Sequence, residues 1–178
     1  TAIGEQALDN NTTASGNSAV GYRALYTNTI GARNSAFGED ALELNSTGND
    51  NVAFGWQALQ RSTVSNNTAF GSQALAKTTS GASNTAVGHA SLNNNTTGAN
   101  NTAAGYSALI SNVAGSYNVG IGYYALRYNT ADSNTAVGYY AAERNTTGTQ
   151  NVVLGEMALR FNTTGDNNTA VGYNAGNT

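Results

Sequence analysis

The apolar positions of this chain fall in short bursts at a fixed interval, and polar residues fill the space between them. Each burst reads small–apolar–glycine, as in Ala19-Val20-Gly21, Ala53-Phe54-Gly55 and Ala136-Val137-Gly138, with Ala-Leu three and four residues further on. With the burst's glycine as position 0, the zero positions are Gly4, Gly21, Gly38, Gly55, Gly71, Gly88, Gly105, Gly122, Gly138, Gly155 and Gly172. Successive spacings are 17 residues, apart from two of 16. Asparagine stands at position −4 in all ten complete units: Asn17, Asn34, Asn51, Asn67, Asn84, Asn101, Asn118, Asn134, Asn151 and Asn168. Alanine holds +3 except at Ser91, and leucine holds +4 except at Ala142 and Gly176.

A period this short cannot hold a helical hairpin, which needs more than about 30 residues. Apolar residues do not recur at helical spacing, and Gly, Thr and Asn are poor helix formers. The Thr-Ala-Val-Gly-Tyr type of segment suits a strand. Each unit is therefore expected to form two short strands of about three to five residues, joined by Gly/Asn/Thr turns. Stacking such units predicts an all-β parallel β-solenoid of ten to eleven coils, one coil per 16–17 residues. The two shorter units, GWQALQRSTVSNNTAF and GYYALRYNTADSNTAV, lack the mid-loop glycine found at Gly48, Gly81, Gly98, Gly148 and Gly165. The Asn column stays in phase across both, so the loop tolerates a change of length and the Asn-to-Leu segment does not.

Alternation along a strand puts −3 and −1 on one face. The −1 residues, among them Val20, Phe37, Phe54, Phe70, Ile121 and Leu154, are expected to join the Leu column as the apolar filling. The opposite face, −2 and 0, is Ala then Gly in most units, as at Ala19-Gly21, Ala36-Gly38 and Ala86-Gly88. Either the coil is too narrow there for bulk, or another chain's backbone packs against the strip. The second reading is preferred, because a slim coil buries little apolar area alone. The Asn column is expected at a corner, as a ladder of stacked amides running along the axis. A row of ligand-binding amides is its functional rival.

Composition narrows the functional classes. Only 10% of residues are charged, and the net charge of −3 is spread without runs. The seven basic residues never cluster, which argues against a nucleic-acid footprint. No apolar stretch is long enough to span a membrane. The chain has no cysteine, which excludes disulfides and thiolate metal sites. Residues 1–178 read as one repeat array, a piece of a longer fibre protein. Charges alternate with neutral or opposite residues in their columns, as in Asp9, Tyr26, Glu43, Gln60 and in Arg127, Glu143, Arg160. That pattern suits a parallel stack, which sets each residue beside its own counterpart.

Candidate chemistry is sparse. Position +1 is often aromatic, at Tyr22, Trp56, Tyr106, Tyr123, Tyr139 and Tyr173, with His89 in the same column. Such a row could stack on sugars or cover a seam between chains. Asn-x-Ser/Thr tripeptides begin at Asn10, Asn11, Asn45, Asn66, Asn94, Asn95, Asn100, Asn145, Asn162 and Asn167. A repeat built from Asn and Thr produces them by composition alone. His89 is the only histidine and has no repeated carboxylate partner. Glu39, Asp40 and Glu43 share one coil, which reads as a solvated charged loop and not a glycosidase pair. No catalytic residue, metal site or cofactor is expected.

The units NSAVGYRAL, NTAVGHASL and NTAVGYYAA resemble the head repeat of trimeric autotransporter adhesins, which centres on an SVAIG-like strand. They are also similar to NTAVGYxAL arrays of phage tail-fibre and other surface-fibre proteins. The match covers the whole chain. The resemblance implies a left-handed parallel β-roll, three chains side by side, and a place at the outer end of an extracellular or virion fibre. It implies attachment to host matrix, to other cells or to a glycan or protein receptor. The 17-residue coil is longer than the usual head repeat, and no neck, stalk, membrane anchor or self-cleaving chaperone domain lies within these residues. The rival expectation is a self-assembling filament without a specific ligand. A weaker third is an ice-binding Thr array, since Ser and Val dilute the Thr column.

Overall fold

The computed structural model describes residues 1–177, which form a parallel β-solenoid with one coil per repeat and contain no helix. Eleven strands stack in chain order: β1 (Ala2–Ile3), β2 (Ser18–Val20), β3 (Ser35–Phe37), β4 (Val52–Phe54), β5 (Thr68–Phe70), β6 (Thr85–Val87), β7 (Thr102–Ala104), β8 (Val119–Ile121), β9 (Thr135–Val137), β10 (Val152–Leu154) and β11 (Thr169–Val171). The register places equal positions side by side throughout, for example Ala19 against Ala36 and Ala53 against Ala69. At about 4.8 Å per step the stack is a rod of roughly 48 Å. Almost every side of the coil donates backbone N–H groups to its neighbours. A chain with no proline suits that, because proline would remove a donor.

Each coil contains one strand and not the expected two. The Ala-Leu segment is a run of turns in which +2 and +4 adopt left-handed backbone, as at Arg23 (φ 53°) with Leu25 (φ 53°) and Gln57 (φ 56°) with Leu59 (φ 52°). The +2 amide donates to the preceding coil and the +4 amide to the following one. Asp40 N–H reaches the Tyr22 carbonyl at 2.9 Å, and Leu42 N–H reaches that of Ala58 at 3.0 Å. Left-handed backbone costs a non-glycine residue roughly 1–2 kcal/mol. Coil-to-coil bonding and burial of leucine, about 1.5–3 kcal/mol per side chain, offset that cost.

The faces of the strand are the reverse of the sequence expectation. Position −2 points inward, and Ala19, Ala36, Ala53, Ala69, Ala86 and Ala103 are fully buried. They pack with the +3 alanines and with Leu25, Leu42, Leu59, Leu75, Leu92, Leu109 and Leu126. The −3 and −1 residues point outward. The alanines of the strip are small because they line the inside of the coil, and the half-buried glycines at position 0 lie against the backbone of the next coil. The physical reason is space. A Cβ added at Gly120, a −2 position, would lie 3.1 Å from Leu109 Cγ in the preceding coil.

That adjacency explains the break in the leucine column. Where Leu is replaced by Ala142, the next coil carries Val153 at −2 in place of alanine, and Val153 is fully buried. The second change restores two of the three side-chain carbons that the first removes. Val153→Ala alone should lower stability by about 2 kcal/mol through the cavity it leaves. Ala142→Leu alone should cost roughly 1–3 kcal/mol through overpacking. The double variant should recover most of both losses in a denaturant titration, giving a large coupling energy.

Position −5 is also left-handed, and Asn66, Asn100 and Asn167 occupy it in three coils. Asparagine tolerates this backbone best after glycine. Tyr117 stands at the same position with φ 60° and is 65% exposed. Tyr117→Asn should raise stability by about 0.5–1 kcal/mol, read as an upward shift of the thermal midpoint.

Candidate functional site

The −4 asparagines form one continuous ladder inside the coil. Each Oδ1 accepts the backbone N–H of the next −4 asparagine: Asn34 on Asn17 at 2.8 Å, Asn101 on Asn84 at 2.9 Å, Asn118 on Asn101 at 2.9 Å. From Asn17 to Asn151 each Nδ2 donates to a loop carbonyl of its own repeat, as from Asn34 to Gly48 (2.7 Å), Asn84 to Gly98 (2.9 Å) and Asn134 to Gly148 (2.7 Å), and Asn168 Nδ2 donates to Asn151 Oδ1 at 2.9 Å. Asn17, Asn34, Asn51, Asn67, Asn84, Asn101, Asn118, Asn134 and Asn151 are buried, and Asn168 is half-buried. From Asn17 to Asn151 both ends of the amide are engaged internally, and burial withholds them from a ligand. The column lies in the interior and supports the loop.

A second asparagine column, missed in the sequence, faces the first. It occupies +7: Asn11, Asn28, Asn45, Asn95, Asn112, Asn129, Asn145 and Asn162, interrupted by Ser62 and Thr78. Its Nδ2 groups share the loop carbonyl with the first column. Gly98 O accepts from Asn84 at 2.9 Å and from Asn95 at 2.8 Å, and Gly115 O from Asn101 at 2.9 Å and Asn112 at 2.8 Å. Successive +7 amides also bond to each other, as Asn145 to Asn129 (2.8 Å) and Asn162 to Asn145 (2.9 Å). The fixed distance from the glycine was a readable signal, but several of these residues begin Asn-x-Ser/Thr tripeptides and look like loop composition. The coil interior is thus half Ala/Leu and half amide. In the two 16-residue coils Val64 O and Ala131 O take the place of the glycine carbonyl, accepting from Asn51 at 2.7 Å and Asn118 at 2.8 Å.

Outside, the strands present a ladder of −3 and −1 side chains. Phe37, Phe54 and Phe70 stack at 4.5 and 4.8 Å between centroids. Phe70, Val87, Ile121, Leu154 and Val171 are between 39% and 66% exposed. The −1 column is apolar along the length of the rod, with Ala104 its smallest member, while the −3 column beside it is Ser or Thr in seven of the ten strands from β2 to β11.

The +1 column is exposed, but it is not one continuous row. Tyr106, Tyr123 and Tyr139 stack in sequence at 5.3 and 5.4 Å, with His89 on Tyr106 at 5.2 Å. Tyr22, Trp56 and Tyr173 stand apart, separated by Glu5, Glu39, Ser72 and Glu156 in the column. Rings stacked on one another turn their edges to solvent, so the continuous segment offers few faces to a sugar. Tyr124 and Tyr140 close the cluster edge-on, with ring centroids 4.3 Å from Tyr123 and 4.4 Å from Tyr139. Arg127 lies 4.1 Å over Tyr124, and Arg160 lies 4.5 Å over Tyr140. The Tyr123 hydroxyl beside it pushes the Tyr124 phenol above its ordinary pKa. Desolvation, and then the Tyr139 hydroxyl, do the same for Tyr140.

The charged columns form ion pairs along the axis. Glu143 is buried between Arg160 Nε (2.8 Å) and Arg127 (3.6 Å). Glu43 pairs with Arg23 and accepts from Gln60 at 2.8 Å. Asp40 and Glu43 are thus engaged by Arg23, while Glu39 is exposed. Among the described residues no three His, Cys, Asp or Glu are grouped to hold a metal, and no helix is long and apolar enough to cross a membrane.

Stacked repeats, an amide-lined interior and regular outward columns define a solenoid repeat protein. In comparisons with known proteins the chain matches no family model, no curated protein and no solved structure. The resemblance to adhesin heads and surface fibres rests on the repeat residues alone.

Proposed function

We propose that the chain is a stiff rod segment of an extracellular or virion surface fibre, associating side by side as a homotrimer and attaching through many equivalent weak contacts. The observation that carries this reading is the outward strand face. An apolar ladder of that length on a slim rod has the character of an interface, since large exposed apolar patches mark association sites. Covering it would supply the burial that a coil filled with alanine, leucine and asparagine lacks. Beside this ladder the −3 column recurs as Ser or Thr in seven of ten strands, so a weak contact made at one coil is available again at most others and the contacts sum by multivalency.

Sedimentation equilibrium tests the assembly. The expected mass is three times the 18.2 kDa of one chain. A monomer at micromolar concentration overturns the reading, and a mass that grows without limit points to a filament. Phe54→Lys should dissociate the trimer while leaving the circular dichroism of the coil unchanged, because Phe54 points outward. Binding to immobilised matrix proteins and a glycan array tests attachment. A blank result from the intact trimer leaves a scaffold without a ligand.

A further inference from the structure

We propose that the tyrosine cluster on the seventh, eighth and ninth coils is an oxidative cross-linking site, where a haem peroxidase-type oxidant using hydrogen peroxide joins phenol rings of successive coils. The proposal does not depend on the oligomeric state. Five rings belong to the cluster: Tyr106, Tyr123, Tyr124, Tyr139 and Tyr140. Between coils the centroids are 5.3 Å apart for Tyr106–Tyr123, 5.4 Å for Tyr123–Tyr139, 5.6 Å for Tyr123–Tyr140 and 5.5 Å for Tyr124–Tyr140. None of the other five tyrosines, Tyr22, Tyr26, Tyr117, Tyr128 and Tyr173, has an aromatic ring partner among the described residues.

Three features favour coupling here. Tyr106, Tyr123 and Tyr139 keep about two-fifths of their surface in solvent, so an external oxidant reaches them. Arg127 and Arg160 sit over Tyr124 and Tyr140 and hold those rings against the cluster. Thiol and thioether oxidation compete little, with no cysteine and the single methionine Met157, and the one exposed indole, Trp56, lies three coils before Tyr106.

The step balances as follows. Two phenols each lose one electron and the hydroxyl proton, giving two phenoxyl radicals whose unpaired spin reaches the ring carbons beside the oxygen. Two such carbons on facing rings form one carbon–carbon bond. The hydrogens on those carbons then transfer to the oxygens and restore both phenols. Two hydrogen atoms leave the protein in total, and one hydrogen peroxide is reduced to two waters. The product ties one coil covalently to the next, in a chain that has no cysteine for a disulfide.

The experiment treats the dilute purified chain with a haem peroxidase and hydrogen peroxide. Expected are dityrosine fluorescence, an intact mass lower by two hydrogens per link, and, after proteolysis, linked peptides joining Tyr106 to Tyr123 or the 123/124 pair to the 139/140 pair. Combined Tyr123→Phe, Tyr124→Phe, Tyr139→Phe and Tyr140→Phe keeps every ring and should reduce the fluorescence several-fold. Combined Tyr22→Phe, Tyr26→Phe and Tyr117→Phe should leave it unchanged. Links that map to the isolated tyrosines, links found only between chains, or no link at all overturn the proposal. The mapping uses the unaltered chain, so it decides the matter even where a variant fails to fold.

Discussion

Gly88→Ala should collapse the stack at its centre, with a loss on the order of 3–5 kcal/mol of stability or failure to fold. Two independent effects add at this position. Gly88 has φ +122°, a backbone that L side chains rarely adopt. A Cβ there would also lie 2.6 Å from the carbonyl oxygen of Gly105 in the next coil. That neighbour is backbone, so no side chain can swing away, and relief requires the two coils to separate. Separation breaks the bonds from Thr85 N–H to Asn101 and from Gly105 N–H to Val87, each 2.8 Å. Gly172 gives the internal comparison. It shares the φ, at +121°, but a Cβ there meets nothing within 4 Å. Gly172→Ala should therefore cost only the backbone strain, about 1–3 kcal/mol. Chemical denaturation of the two variants measures the difference, and equal losses would show that coil contact is not what selects glycine.

Asn101→Asp should be the most damaging isosteric change in the interior, with a loss of roughly 3–5 kcal/mol at neutral pH, similar to breaking other buried polar pairs. Asn101 is 1% exposed. Its Oδ1 accepts the Asn118 N–H at 2.9 Å, and its Nδ2 donates to Gly115 O at 2.9 Å. A carboxylate keeps the first bond and turns the second into an oxygen–oxygen repulsion, with a buried charge added. Protonation supplies a donor again. The folded state should therefore hold the proton at a higher pH than the unfolded chain, and the destabilisation should shrink as pH falls through that raised pKa. Asn101→Ala lacks the charge and should lose about 1–3 kcal/mol without the pH dependence. A melting series across pH separates the two. If Asn101→Asp melts like the parent chain, the ladder does not carry the stability assigned to it.

Much of this molecule is legible in its sequence, and the reason is repetition. A fixed interval between glycines forces equal positions into contact, so the parallel stack and its one-repeat coil follow from counting. The same counting located the −4 amides. The +7 amides recur as regularly, but Asn45, Asn95 and Asn145 each begin an Asn-x-Ser/Thr tripeptide of the kind that loop composition produces by itself. The orientation of the strand was not legible. Alternation says that −3 and −1 share a face with each other but does not say which face is inside. Val20 and Phe37 look like core by type, yet the interior left beside Leu25 and Leu42 admits only a methyl group.

The sequence by itself determined the period, the in-register stacking and the columns that must be glycine or asparagine, because a repeated contact selects the same residue at every coil. Only the tertiary structure decided which side chains fill the coil, that Leu25 and its equivalents sit in left-handed backbone, and that Tyr124 and Tyr140 turn edge-on against Tyr123 and Tyr139. Those outcomes depend on the width of the coil and the path of its turns, which are set by close packing in three dimensions and leave no mark in the order of the residues.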